Sequence, residues 1–365
     1  MIRALDKWLL PYLGSILRRP LNPPRPRHLI FCVADHFEPH VGHATDAEAL
    51  RRVTRWVNDF PAIVDGIRDA DGHLPCHTFF SPAEEYHPET LTFLSTLVEQ
   101  HLGEVEIHLH HRNDTPEILR NRLTTFRHIL RESHGLLGAD TSGRIRYGFV
   151  HGNWALCNSR PDRDWCGVND ELDVLRETGC YADFTFPSAP SPTQPCIVNR
   201  IYRARNRPDQ PRSHDRGTPV RATGTPDPDT LMLIQGPLTV NWRSRKFGLL
   251  PRIENGAMAH DNPPTALRAG LWVRQAIGVE SRPDLVFVKV HTHGGSSANQ
   301  QVLLGPVMRN FYRDLAARYN DGDRWRLHFV SARECYNLIR AVEDGQTGDP
   351  GSFRNYEIQP PPAAG

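Results

Sequence analysis

The chain has 365 residues, 39% hydrophobic and 23% charged, which suffices for a sizeable core in one or two α/β domains and argues against a mostly disordered polymer. Lys+Arg of 43 against Asp+Glu of 42 leaves a formal charge of +1, so net charge implies no nucleic acid partner. The seven cysteines, at 32, 76, 157, 166, 180, 196 and 335, are odd in number and contain no C-x-x-C pair, which points to reduced thiols and a cytoplasmic setting rather than a disulfide framework.

Residues 1–19 are apolar with basic flanks, and Pro11 interrupts a run already too short to span a bilayer. A helix packed on the domain is the favoured reading, with peripheral contact to a membrane surface as the alternative. L-I-F-C-V-A (29–34) reads as a buried strand. Residues 46–68 carry Leu50, Val53, Trp56, Val57 and Phe60 at helical spacing behind Thr45 as cap. C-H-T-F-F (76–80) is a second strand and 88–101 a second helix. E-V-E-I-H-L (104–109) is the third strand. Thr115 and Pro116 then open a helix with Leu119, Leu123, Phe126 and Leu130 inward. Y-G-F-V-H (147–151), a helix over 169–178, and strands over 181–186 and 231–235 follow, with 238–242 beside the last of these. A helix over 264–278, a strand over 284–291, one long helix over 299–319 and a strand over 326–331 complete the series. Ser331 and Glu334 form a capping-box pattern for a final helix.

Repeated β-α units imply a mostly parallel sheet, and seven or eight of them suggest a distorted (β/α) barrel over 28–343. An open doubly wound sheet is the alternative, but no G-x-G-x-x-G follows the first strand and no G-x-x-x-x-G-K-[ST] occurs. Residues 1–27 form an N-terminal extension. Residues 187–230, rich in proline and arginine and without a clear period, read as a loop insertion, and 344–365 as a flexible tail.

Chemistry-bearing residues gather where strands end. Asp35, His36 and Glu38 follow the first strand, and Glu84 and Glu85 the second. His108, His110, His111 and Asp114 follow the third, His151-Gly152-Asn153-Trp154 the fourth, Asp183 lies in the fifth, and His291-Thr292-His293-Gly294 closes a later one. In a parallel barrel these ends share one face, where such folds place their sites. Imidazole with carboxylate suits zinc and other first-row divalent ions, so one divalent ion, zinc by this donor set, is expected here. His108 and His110 share a strand face, and Asp114 converges with His110 if the chain turns at Thr115. Of Asp35 and His36, one reads as ligand and the other as acid or base. His291 and His293 read either as an H-x-H ligand pair or as a general acid with a neighbour. His151, Asn153 and Trp154 resemble a wall for a sugar ring, with His108, His111, Asp183 and His293 as further substrate contacts.

These residues, in this order, resemble the motifs of the polysaccharide deacetylases, the NodB-homology carbohydrate esterases. V-A-D-H (33–36) sits where that family has an Asp-Asp pair, E-I-H-L-H-H-R-N-D (106–114) where it has E-I-G-L-H-x-x-x-H, F-V-H-G-N-W (149–154) where its groove motif follows the next strand, and V-K-V-H (288–291) where its Leu-His strand ends. The resemblance spans roughly 28–295. It implies a distorted barrel, Asp35 as general base, His291 as general acid, and a metal held by His36, His110 and Asp114, two positions at which Asp and His are exchanged. It also implies a carbohydrate as substrate, with Asp183 matching a later aspartate. The activity so implied is removal of an acyl group, acetyl in that family's chemistry, from a sugar. The alternatives are glycoside hydrolysis through Glu38, Glu84 or Glu85 with an aspartate, another metal hydrolase on a similar barrel, and a non-catalytic carbohydrate-binding protein.

Overall fold

The structure, a computed structural model, describes residues 4–246 and 248–362. After helix α1 (Leu5–Leu17) the chain runs β1 (Arg27–His36), α2 (Asp46–Val64), β2 (His77–Pro82), α3 (Pro88–Glu99), β3 (Gly103–Leu109), α4 (Pro116–His128), β4 (Tyr147–His151), α5 (Glu171–Thr178) and β5 (Cys180–Asp183). It continues through β6 (Ile201–Arg205), β7 (Thr218–Pro219), β8 (Thr230–Ile234), β9 (Thr239–Lys246), β10 (Leu250–Glu254), β11 (Ala257–Met258), α6 (Ala266–Val273), β12 (Leu285–Thr292), α7 (Ser297–Leu303), α8 (Pro306–Tyr319), β13 (Trp325–Val330) and α9 (Ala332–Glu343).

The result is a mixed α/β fold around one large, mostly parallel sheet in the order β11-β12-β1-β2-β3-β4-β5-β8-β6-β7. β1 is its centre. Its register with β12 runs from His28↔Leu285 to Asp35↔Thr292, while its other edge pairs first with β13 and then, from Ala34, with β2. A strand hidden on both faces needs an unbroken apolar run, and Leu29 to Ala34 supply it. Among the described residues no ladder joins β11 to β7, so backbone pairing leaves the sheet open where the sequence led us to expect a barrel.

Local signals set the helix starts. Thr45, Thr115, Thr265 and Ser331 each accept a backbone N–H from their own helix, and Ser331 with Glu334 completes a capping box. The amphipathic helices bury one stripe each against the sheet, as Val53, Trp56, Phe60 and Ile63 do in α2.

The structure corrects four expectations. The insertion at 187–230 carries β6 and β7, which pair antiparallel with β8 and with each other. Short strands with arginine at alternate positions gave no readable period. Residues 238–242 leave the sheet and build the β9–β10 hairpin, because β6 takes the edge of β8. The helix expected over 299–319 breaks into α7 and α8 at Gly305-Pro306, where proline cannot continue a helix. Residues 344–362 are packed rather than flexible: Ile358 is fully buried, and Asn337 on α9 holds the carbonyls of Arg354 and Ile358 at 2.7 and 2.8 Å. The expected tail residues 363–365 lie outside the described residues, as do 1–3 of the N-terminal run. α1 packs through Trp8 and Tyr12, with Tyr12 bonded to Thr239, while Leu10, Leu13 and Leu17 face solvent. Among the described residues no helix is long and apolar enough to cross a membrane.

Candidate active site

The parallel strands β1, β3, β4 and β12 end on the same side of the sheet, and their last residues alternate in direction. Asp35 and His36 therefore part company. Asp35 is fully buried: one oxygen lies 2.7 Å from His77 Nε2 and the other accepts the Gly294 N–H at 2.6 Å. The Gly294 carbonyl in turn accepts Trp56 Nε1 at 2.9 Å and the Gln300 amide at 3.1 Å. A side chain at position 294 would run into the Asp35 carboxylate, so glycine is required for this close approach. Asp35 thus fixes the turn after β12 that carries His293.

The other face gathers side chains that could act as ligands. Glu38 Oε1 lies 3.1 Å from His108 Nε2 and 3.1 Å from His110 Nε2. His108 is fully buried and turns its Nδ1 to the Val150 carbonyl at 2.7 Å. A ring that donates from Nδ1 presents a lone pair at Nε2, and here that lone pair meets a carboxylate. His110 has a carboxylate on each side, with Glu84 Oε1 2.6 Å from Nδ1. Burial opposes charge on His110, but Glu38 and Glu84 outweigh it and push its pKa up to about 10. Glu38 is held below the usual carboxylate range: burial acts against that, and the two imidazoles prevail. The spot is built for positive charge, and its three donors fit a divalent ion. It is also reachable, since the side chains of Glu38, His110 and Glu84 are 13%, 24% and 31% exposed.

Further rings line the approach. His36 lies 5.2 Å from His108, 5.9 Å from His291 and 4.9 Å from His293, centroid to centroid, and its Nε2 is buried without a hydrogen bond. Trp154 stands 6.2 Å from His36 and 6.3 Å from His293, and its indole N–H is likewise buried and unpartnered. Burial lowers the pKa of His36, His291 and His293, so all three rings are neutral near pH 7.

The ligand set implied by the motifs is not assembled as one group among the described residues. His110 groups with Glu38 and His108 rather than with His36 and Asp114. Asp114 lies 3.2 Å from His111 Nδ1 and 3.4 Å from Arg122, because the chain turns away at residue 111. His111 and His151 leave the expected substrate wall for a sealed cluster with Glu171. Asp183 is also sealed in: it takes the Thr185 hydroxyl at 2.7 Å, and Thr185 holds the His151 N–H at 2.9 Å. Asn153 and Trp154 remain half-buried, as does His293. Sequence reasoning missed Glu171, since an acid at a helix start is common for the helix dipole alone. Glu38 was noticed only as a glycosidase candidate, although its place two residues after His36 at a strand end was a usable signal.

The chain matches no family model and no curated protein. A solved structure from Mycobacterium smegmatis, provisionally named a polysaccharide deacetylase, aligns with a TM-score of 0.45 at 13% identity over 91% of this chain and 96% of that one. A likeness of that degree assigns neither family nor activity.

Proposed function

We propose that this chain is a metal-dependent hydrolase that removes an acyl group, acetyl in the simplest case, from a carbohydrate. The observation that carries the reading is the solvent-reachable convergence of Glu38, His108 and His110, each imidazole oriented by an acceptor behind it. A divalent ion held there would acidify a bound water and polarise an acyl carbonyl. The order of motifs along the chain supports the deacetylase form of this chemistry.

The remaining roles belong to the chain's own groups. Both Asp35 oxygens are engaged, so Asp35 acts by holding the Gly294 turn rather than by meeting the water directly. The base role falls to a neutral imidazole. His293, beside His36 at 4.9 Å, accepts the water's proton at a ring nitrogen. His293, charged once it holds that proton, returns it to the leaving amine or alkoxide, and His291, 5.9 Å from His36, lines the same approach. Trp154, half-buried beside His36 and His293, offers a flat face to a sugar.

The test is acetate release from N-acetylated and O-acetylated oligosaccharides by metal-loaded protein, beside Glu38→Gln. Loss of turnover on chelation and in the variant supports the reading. Glycosidic cleavage that survives chelation would replace it with the glycoside hydrolase alternative.

A further inference from the structure

Behind the open cluster lies a second convergence, sealed from solvent. His111 Nε2 is 2.8 Å from His151 Nε2, and Glu171 Oε1 lies 3.3 and 3.2 Å from the two, with all three side chains 0% exposed. They come from three separate places: the turn after β3, the last residue of β4 and the first residue of α5.

Each ring is oriented from behind. His151 Nδ1 faces the Gly152 carbonyl, and His111 Nδ1 lies 3.2 Å from Asp114. His151, whose Nδ1 faces that carbonyl, turns its lone pair inward, and the Asp114 carboxylate beside His111 Nδ1 favours the same tautomer there. The second Glu171 oxygen accepts the Cys157 N–H at 2.6 Å. Among the described residues no arginine or lysine pairs with Glu171, while Asp114 has Arg122. Two lone pairs and a carboxylate oxygen therefore meet in a dry space, which is costly without a cation between them.

A proton on His111 Nε2 is the smallest such cation. It points at His151 or at Glu171, and while Glu171 is ionised two acceptors, His151 Nε2 and Glu171 Oε1, still face each other at 3.2 Å. One divalent ion satisfies all three. Donors about 2.1 Å from a tetrahedral zinc lie about 3.4 Å apart. The carboxylate–imidazole separations match that spacing, and the imidazole pair needs to open by about half an ångström.

We infer that His111, His151 and Glu171 form a second, closed metal site of structural role, for a first-row divalent ion with zinc favoured by the donors. Its work is to clamp the segment after β4. Asn153, Trp154, Cys157 and Asn158 there hold left-handed φ values of 54°, 52°, 51° and 53°, which side chains other than glycine rarely adopt. The clamp joins His151 before that segment to Glu171 after it, and so fixes Trp154 against the open site. The inference does not rest on the proposed reaction, because substrate has no access to these atoms.

Elemental analysis of the purified full chain tests it, on wild type, His110→Asn and Glu171→Gln. The expected result is about two ions per wild-type chain and about one in each variant. Full metal retained in Glu171→Gln would overturn the site. Should that variant not fold, cobalt loading of folded His110→Asn decides. Cobalt d–d bands that added azide leaves unchanged support a site sealed from solvent, whereas absence of bound cobalt, or bands that azide shifts, overturns it. Absence of acetate release from an otherwise two-metal protein would sink the proposed reaction and leave this site standing.

Discussion

The open and sealed clusters use the same parts, two imidazoles and one glutamate, and both begin at the end of β3. They differ in direction. His108 and His110 share a face, and His111 turns to the other side. The open cluster is backed by the Val150 carbonyl and Glu84 and meets solvent at Glu38 and His110. The sealed one is backed by Asp114 and the Gly152 carbonyl and meets none. Ligand identity alone therefore does not separate a reactive site from a structural one; access does.

That contrast breaks most sharply at the ligands. Glu38→Gln or His110→Asn is expected to cut acetate release by roughly a hundredfold or more and to remove only the open site's metal, read by kinetics beside elemental analysis. Glu84→Gln leaves the ligands in place but loosens His110, so a fall of roughly 10–100-fold in metal affinity or activity is expected. Gly152→Ala should act at the seam of the two clusters. A methyl at 152 would strike the His110 ring, so turnover should fall several-fold while the sealed site keeps its metal, checked by the same two readouts. An unchanged kcat would mean the ring has room to move.

How much of this was legible beforehand depended on periodicity. β1, β3, β4 and β12 announced themselves as apolar runs, and the caps at Thr45, Thr115 and Ser331 marked helix starts within a few residues. β6 was hidden because Arg203 pairs with the buried Glu343, and Arg205 at the surface with Asp227 and Asp229, which gives a strand a polar face and no apolar signal. The histidines of the site were found from strand ends, but their grouping was not. Which of His108, His110 and His111 meet depends on where the chain leaves the sheet after Leu109, a turn the sequence does not display. Glu171 was out of reach because it comes 60 residues after His111.

The smallest expected effect concerns pH. Burial pushes the Asp183 carboxyl up to about 7, with the Thr185 hydroxyl acting against the shift. Between about 4 and 7 the folded chain keeps a proton that the unfolded chain has lost, so this group's stabilising contribution falls as pH rises across that window. Asp183→Asn should flatten the decline, by a few kcal/mol at most, in denaturant titrations across the window. A wild-type slope unchanged by the substitution would show that Asp183 ionises normally.

The most direct test of the account is acetate release by wild type and Glu38→Gln, each assayed with its metal content measured on the same sample. The account predicts turnover in the wild type, none in the variant, and the loss of one of the wild type's ions. Acetate release by Glu38→Gln at wild-type rate, with the open site's metal gone, would contradict it.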